Sequence, residues 1–342
     1  MSVRESFLKL CGTAALLMAL PTAAAEPARA EVDRRDAPSL LWIIGHNELN
    51  LESGGPDGAS QMRKKLEAAF PGWKLDTMHL GSTALVPRNA VLILAGPKRD
   101  FSEDDAAKLR DLLANGFRLL VCLDPGIEHD RVDLARLRLV LQDAGANVGT
   151  DRIVDQEAAL PGKPSPMPRT GPVREERAVF AARFAPTGHP ILAALPPGVG
   201  VVFENACRVA ARSSGSDPFD VRELATTSSS AYAISASGGR GPAGPVLVAA
   251  TRRAGPGRYV VAGDSTFLTN GFAARTGIED AALAIAALRW LAEGIEAPAP
   301  ARRPRAEAAN VADEDRQPIV LIIAIAVAAL LVAGNAVLGK RS

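Results

Sequence analysis

Short runs of consecutive apolar residues alternate with segments of helical periodicity in the first half of the chain. The runs Leu40–Ile44, Ala90–Ala95 and Phe117–Leu123 are almost entirely apolar, which is typical of strands that are buried on both faces. Between them, apolar residues recur at helical spacing, as at Met62 and Leu66, and predict amphipathic helices. This alternation predicts an α/β domain with a mostly parallel sheet that is covered by helices on both faces.

The second half of the domain is richer in strands. Apolar or alternating runs predict strands at 178–184, 199–203, 229–235, 246–251 and 259–262. A segment rich in glycine and proline, 238–245, predicts a hairpin-type loop, and the apolar run 278–291 predicts the helix that ends the fold. We assign one domain to residues 38–295, interrupted by a long proline-rich loop at 155–175.

The amino-terminal segment combines a basic start, a short apolar stretch and small residues in the A-x-A arrangement. This pattern is typical of a secretory signal peptide, which we predict at residues 1–30. An uncleaved N-terminal anchor is the alternative, although the apolar stretch from Leu10 to Ala25 is short for a membrane span.

A second apolar run, close to the carboxyl end, has the length of a membrane span. Residues 319–339 contain Asn335 as their only strongly polar side chain. A helix of this length reaches about 30 Å, which is enough to cross a bilayer core. We therefore predict a transmembrane helix at 318–339.

The segments that flank this helix predict how the chain is oriented. Residues 296–317 carry several prolines among charges and predict a flexible stalk. Lys340 and Arg341 follow the helix, so the positive-inside rule places the tail, 340–342, in the cytoplasm. We expect a single-pass protein of the cell membrane with an extracytoplasmic domain.

Composition narrows the classes of function. The chain has 39 Lys and Arg against 38 Asp and Glu, a formal net charge of +1, and this balance argues against nucleic-acid binding. Aromatic residues make up 4% of the chain, too few for a surface that stacks bases or sugars. Cys122 and Cys207 lie in apolar runs, where they could form a disulfide in an oxidising compartment or remain buried thiols.

Polar residues follow several of the predicted strands directly. In chain order they are His46, Glu48, Lys98, Asp124, Asp264, Ser265 and Asn270. Because ligands of open α/β sheets bind outside the carboxyl ends of the strands, we predict that these residues form a candidate ligand-binding edge. The competing interpretation is structural, since Asp and Asn after a strand often cap a helix or close a turn.

Four of these residues carry side chains that bind metal ions, and they predict an alternative function. Imidazole and carboxylate groups, the donors that divalent metal ions accept, are present at His46, Glu48, Asp124 and Asp264. With them the carboxyl edge of the sheet could serve an envelope hydrolase or metal-binding enzyme. Their spacings match no recognised metal motif such as H-E-x-x-H, so we assign no metal.

The sequence contains no complete catalytic motif. No G-x-S-x-G or G-x-C-x-G elbow follows a predicted strand, there is no phosphate-binding P-loop, and no G-x-G-x-x-G follows the first strand. Cys122 lies inside a predicted strand, where a core thiol is expected. We therefore predict no enzymatic activity and no cofactor.

Several segments, taken in order, resemble one protein family. They are 44–48 (Ile-Gly-His-Asn-Glu), 89–98, 101–105, 119–125, 189–191, 226–228, 261–270 and 288–291. Their order and spacing resemble the auxiliary proteins of gliding-motility-type ABC transporters (the GldG-like family) over residues 40 to 295. The resemblance implies a three-layer flavodoxin-like or glutamine-amidotransferase-like domain without the catalytic cysteine, as in a related intraflagellar-transport domain.

The same resemblance implies partners, namely an ABC permease and its ATPase on separate chains. We expect a non-enzymatic, membrane-anchored auxiliary subunit of an ABC-type transport or gliding-motility-like system, whose domain binds a partner protein or an envelope ligand. A solute-binding protein is a third hypothesis, but it needs a cleft between two lobes, and the sequence predicts one strong lobe.

Overall fold

The computed structural model describes residues 37–83, 85–126, 134–155, 157, 179–185, 188–197, 201–212, 217–273 and 280–295. The predicted signal peptide, stalk, membrane helix and tail lie outside these residues, as does nearly all of the proline-rich loop. Within the described part, no helix is long and apolar enough to cross a membrane.

A parallel sheet forms from the first half of the chain together with one late strand. The elements of the first half are β1 (Ser39–Ile44), α1 (Ser60–Ala69), β2 (Lys74–His79), β3 (Ala90–Ala95), α2 (Glu103–Ala114), β4 (Arg118–Cys122) and α3 (Ala135–Asp143). The late strand, Arg258–Ala262, is β14 in chain order and pairs in parallel with β4. The parallel strands follow the order β2-β1-β3-β4-β14, which confirms the sheet predicted from the apolar runs.

The remaining elements add antiparallel strands. They are β5 (Ala146–Val154), β6 (Val179–Ala181), β7 (Arg183–Phe184), α4 (Pro190–Ala193), β8 (Val202–Glu204), β9 (Cys207–Ala211), β10 (Phe219–Thr226), β11 (Tyr232–Ile234), β12 (Arg240–Pro242), β13 (Pro245–Arg252), α5 (Asn270–Ala273) and α6 (Asp280–Ala292). Strands β13, β10 and β7 extend the large sheet to eight strands, β12-β11-β5-β9 form a second, antiparallel sheet, and β6 pairs with β8.

The central strands are buried on both faces of the large sheet. All six residues of β3 are buried, the most exposed of them at 1%. One face packs against α1 and α6, through Leu66 and Leu288 among others, and the opposite face packs against α2 and α3, through Leu109 and Leu141. The fold is therefore mixed α/β, with helices on both faces of the large sheet.

Helix α2 begins as the sequence indicates. The side chain of Ser102 accepts a hydrogen bond from the backbone N–H of Asp105 at 3.1 Å, and the Asp105 carboxylate accepts one from the backbone N–H of Ser102 at 3.3 Å. This reciprocal capping box satisfies two backbone donors at the start of the helix.

Several segments differ from the sequence prediction, among them β5, which was not predicted, and β12, which lies inside the predicted loop 238–245. Strand β10 carries the charged residues Asp220, Arg222 and Glu223 and was not predicted, because an antiparallel strand with one solvated face needs no continuous apolar run. Asp155, assigned to the proline-rich loop, is fully buried, and its carboxylate accepts hydrogen bonds from the backbone N–H and hydroxyl of Ser228. His189 is the N-cap of α4, a short helix that was not predicted.

The structure places the two described cysteines on opposite faces of the large sheet. Cys122 belongs to the core on the side of α1 and α6, and Cys207 to the core on the side of α2 and α3. Both are free and fully buried. Because a disulfide requires sulfur atoms about 2 Å apart, the intervening sheet excludes the pairing that the sequence left open.

We predict that neither thiol reacts in the folded protein. Burial raises the pKa of Cys207 to about 12 and that of Cys122 well above its usual value, so the reactive thiolate is suppressed. Peptide mapping after iodoacetamide treatment should find both cysteines unmodified under native conditions and modified in denaturant. An exposed Leu139→Cys variant is the reactive control. A peptide pair linked through Cys122 and Cys207 would contradict the structure.

Candidate functional site

The seven predicted residues lie beyond the carboxyl ends of adjacent parallel strands. Strands β1, β3, β4 and β14 neighbour one another in the large sheet, so the loops that follow them meet at one edge, which we call the carboxyl edge. The residues there form separate hydrogen-bonded groups, one around His46, one around Asp124 and Asp264, and one around Asn270.

His46 is held between two carboxylates. Its ring Nδ1 lies 3.0 Å from Glu48 Oε1, and its Nε2 lies 3.3 Å from Asp105 Oδ2. The backbone N–H of His46 donates to Glu48 Oε2 at 2.8 Å, and its ring stacks on Phe101 at a centroid distance of 4.1 Å. Since both ring nitrogens face acceptors, this arrangement suits the doubly protonated imidazolium.

The pKa of His46 reflects two opposing influences. Burial lowers it, while the hydrogen bonds and charges of Glu48 and Asp105 raise it, and the net direction is above the ordinary value of 6.5. The Glu48 side chain is 2% exposed, so the imidazolium neutralises an acid that is almost fully buried. The contact of His46 with Asp105 connects the loop after β1 to the start of α2.

Asp124 is joined to the loop after β14. Its carboxylate accepts hydrogen bonds from the backbone N–H of Ser265 at 2.8 Å and from the Ser265 hydroxyl at 2.7 Å. Gly96, after β3, has a φ of +60°, and a Cβ there would lie 2.5 Å from the Ser265 hydroxyl oxygen and 3.3 Å from Asp124. A glycine is therefore required where the loops after β3, β4 and β14 meet.

Asp264 is fully buried and also bonded internally. Its Oδ1 accepts from the backbone N–H and the hydroxyl of Thr266, each at 2.7 Å, and its Oδ2 accepts from the backbone N–H of Glu204 at 2.7 Å. A Cβ on the preceding Gly263 would collide with the carbonyl oxygen of Cys207. Asp264 thus connects the end of β14 to the end of β8.

Burial disfavours ionisation of this acid pair. It raises the pKa of Asp264 well above its ordinary value, and the neighbouring charge of Asp124 adds to the rise against the hydrogen bonds from Thr266 and Glu204. Burial also raises the pKa of Asp124, against the hydrogen bonds from Ser265 and the charge of Lys98. The structural role of the two acids rests on their hydrogen bonds to neighbouring loops, from Ser265 to Asp124 and from Thr266 and Glu204 to Asp264.

Asn270 works as a cap for a helix that is distant in sequence. Helix α1 has no side-chain cap of its own, and the Asn270 side-chain oxygen accepts from the backbone N–H of Gln61 at 2.8 Å. Its amide nitrogen donates to the carbonyl oxygens of Ser53 at 2.8 Å and Gly55 at 2.7 Å. Asn270 therefore holds the loop between β1 and α1 in place.

Lys98 differs from the other six residues because its side chain is exposed. Its backbone N–H and that of Arg99 donate to the carbonyl oxygen of His46 at 2.7 and 3.0 Å, which fixes the loop after β3 against the loop after β1. Of the predicted residues, Lys98 is the one that presents its functional group to solvent.

The metal hypothesis finds no support in the described part of the chain. No group of three or more His, Cys, Asp or Glu side chains there is arranged to hold a metal ion. His46 and Glu48 belong to one hydrogen-bonded group, and Asp124 and Asp264 belong to another.

Sequence reasoning missed one member of the carboxyl edge. Asp105, which closes the capping box of α2, is also the second acceptor for His46. The available signal was its position, because a helix that follows β3 must begin at the carboxyl edge of the sheet.

Comparison with known proteins gives a family and a fold. Residues 52–288 match the family model described as a domain of unknown function, DUF4350. No curated protein sequence is significantly similar to the chain. The fold is similar to the mmIFT52 N-terminal domain, with a TM-score of 0.53 and 17% identity, covering 75% of this chain and 98% of that one.

Two further solved structures are less similar. A ThuA-like protein from Bacteroides uniformis has a TM-score of 0.41 and 12% identity, covering 75% of this chain and 91% of its own. A cytoplasmic protein from Salmonella typhimurium has a TM-score of 0.42 and 12% identity, covering 74% of this chain and 98% of its own. At such identities, likeness to solved structures concerns the fold alone.

Removing the Asn270 cap should destabilise the protein. Asn270→Ala leaves the start of α1 uncapped and two loop carbonyls without a donor, so we expect a loss of about 1–3 kcal/mol in the free energy of unfolding. Urea titration followed by circular dichroism measures it. Asn147→Ala, at an exposed position in β5, is the matched control and should change the value by less than about 0.5 kcal/mol. Equal effects of the two variants would refute the capping role.

The His46 contacts predict a pH dependence of stability. Because the pKa of His46 is raised in the folded protein, its contribution is complete below the unfolded value and is lost as the pH rises through the folded value. Unfolding free energy measured from about pH 6 to pH 8 should fall less in His46→Gln than in the wild type. Asn147→Ala, at an exposed position that carries no titratable group, is the control and should keep the wild-type slope. An unchanged slope in His46→Gln would contradict the contact.

Proposed function

The chain belongs to the DUF4350 family, and from that premise we propose that it is a non-enzymatic, membrane-anchored extracytoplasmic subunit of an ABC-type transport or gliding-motility-like system. Its α/β domain would bind a partner protein or an envelope ligand at the carboxyl edge. The proposed partners are an ABC permease and its ATPase, and the proposed location is the cell membrane, with a cytoplasmic carboxyl terminus.

One observation carries the non-enzymatic part of the proposal. The side chains best suited to catalysis at the carboxyl edge make hydrogen bonds within the protein: Asp124 with Ser265, Asp264 with Thr266 and the backbone of Glu204, and His46 with Glu48 and Asp105. Side chains that are held in this way make a surface rigid, and few of their donor and acceptor positions are left for a substrate. A rigid surface with an exposed cation suits recognition of another molecule.

The segments that carry the family resemblance lie at the carboxyl edge, and this supports an ABC-system subunit as the partner. The segments 44–48, 89–98, 119–125 and 261–270, which resemble the gliding-motility-type auxiliary proteins, each run into a loop at the carboxyl edge. A shared binding surface would place similar residues in these loops.

The strand order supports the finer fold proposal. The order β2-β1-β3-β4-β14, with helices on both faces, corresponds to the flavodoxin-like order of doubly wound sheets. We propose a three-layer flavodoxin-like or glutamine-amidotransferase-like domain that is extended by the antiparallel strands.

Site-specific photo-crosslinking in native membranes tests the function. A photoreactive amino acid at Lys98, in the full chain, should crosslink to an ABC permease or to an extracytoplasmic protein that purifies with it, because this exposed side chain stands at the proposed surface. Mass spectrometry identifies the product.

The matched control is Lys65, an exposed lysine on α1, and it should give no such product. The proposal fails if Lys98 gives no ABC-system subunit, or if both positions crosslink to the same abundant membrane proteins.

A further inference from the structure

The amino edge of the large sheet, opposite the carboxyl edge, carries a cluster of arginines. Its members are Arg88, Arg118, Arg252, Arg253 and Arg258. Arg118 and Arg258 occupy paired positions at the starts of β4 and β14. The hairpin between β13 and β14, which contains Arg252 and Arg253, meets the chain just before Arg118, since a Cβ on Gly116 would lie 3.4 Å from Pro256.

Hydrogen bonds to helix ends hold three of these side chains in place. Arg88 donates to the carbonyl oxygen of Asn115, after α2, at 2.8 Å. Arg118 donates to the carbonyl oxygen of Glu293 at 3.3 Å, and Arg258 to that of Trp290 at 2.7 Å, both at the end of α6. These acceptors are backbone carbonyls without formal charge, so they orient the guanidinium groups, and of the three arginines Arg258 also pairs with a carboxylate.

Most arginines of this amino edge have no acid partner among the described residues. Arg258 pairs with the Glu293 carboxylate at 2.6 Å. The side chain of Arg253 donates from Nε to the backbone carbonyl oxygen of Asp217 at 3.0 Å, and not to its carboxylate. Arg88 and Arg252, like Arg118 and Arg253, form no ion pair with the described residues. Residues 253–256 at the hairpin tip are exposed, so the charge of Arg253 faces solvent.

The chain leaves the domain from the same edge. Helix α6 ends at Ala292, and the next residue, Glu293, contacts both Arg118 and Arg258. The segment from there to the predicted membrane helix, 296–317, would span roughly 25 Å as a flexible chain. This short tether would keep the arginine edge close to the bilayer surface.

One apolar side chain accompanies the charges. Leu85 is 94% exposed and lies three residues before Arg88, hence within about 11 Å of it. Exposed leucine beside arginine is a combination that the interface of a bilayer accommodates.

We propose that the arginine edge binds the anionic phosphate headgroups of the bilayer in which the chain is anchored. Guanidinium groups bind phosphate through paired hydrogen bonds as well as charge. The domain then rests on the membrane with its amino edge down, and its carboxyl edge faces away from the bilayer, toward the partner. This inference rests on the proposed function, because it requires the membrane anchor.

The test uses the full chain reconstituted into vesicles of phosphatidylcholine, with or without phosphatidylglycerol. A fluorophore is attached at the exposed hairpin position through Ala254→Cys, in a Cys11→Ser background, and the described native cysteines are buried. A nitroxide on the lipid headgroup quenches the fluorophore when the hairpin lies on the membrane.

We expect quenching that depends on phosphatidylglycerol and weakens with added salt. Replacing Arg252 and Arg253 by glutamine should lower the ratio of membrane-bound to detached domain about fivefold for each arginine. The matched control, Lys64→Gln with Lys65→Gln on α1, removes the same charge from another surface and should leave the ratio unchanged.

Three results would overturn the inference. The first is equal quenching with and without phosphatidylglycerol, and the second is equal quenching in the arginine and lysine variants. The third is a hairpin cysteine that is shielded from the labelling reagent in native membranes but not in the vesicles, which would indicate an acidic protein at this edge. If the wild-type chain is not retained by either type of vesicle, the membrane anchor and with it the proposed function fail. A retained chain without lipid-dependent quenching refutes the inference alone.

Discussion

Burial of the central strands on both faces is the constraint on which the rest of this structure depends. Strand β3 has no exposed residue, and its neighbours are covered by helices from both sides, so polar side chains can stand only at the two ends of the strands. Those that are drawn into the covered region must find hydrogen-bond partners there, because an unpaired buried polar group is costly. Asp264 meets this requirement with three donors.

The two edges of the sheet satisfy the constraint differently. At the carboxyl edge, acids accept hydrogen bonds from neighbouring loops, and the result is a stiff surface with Lys98 exposed. At the amino edge, arginines donate to the last carbonyls of the helices, and only Arg258 among them pairs with an acid of the described residues. The carboxyl edge is therefore rigid, and the amino edge attracts negative charge. This difference suits a domain with a partner on one side and a membrane on the other.

Much of the parallel sheet could be predicted because apolar runs such as Ala90–Ala95 are a local signal. The capping box at Ser102 is a local signal as well, and the rule that parallel strands end at one edge places the loops after them together. The roles of Asp264 and Asn270 could not be predicted, since their partners Glu204 and Gln61 are 60 and 209 residues away and become neighbours only in the folded chain. Strand β10 escaped detection because its solvated face carries charges, and the arginine edge combines separate segments.

Amide hydrogen exchange at the carboxyl edge, followed by NMR or mass spectrometry, tests the central claim most directly. In the folded protein, side chains accept hydrogen bonds from the backbone N–H groups of Gln61, Glu204 and Ser265. We expect these amides to exchange as slowly as those of β3, through global unfolding only. Exchange at the rate of exposed loops would contradict this expectation and would return Asp124, Asp264 and Asn270 to the role of free ligand-binding groups.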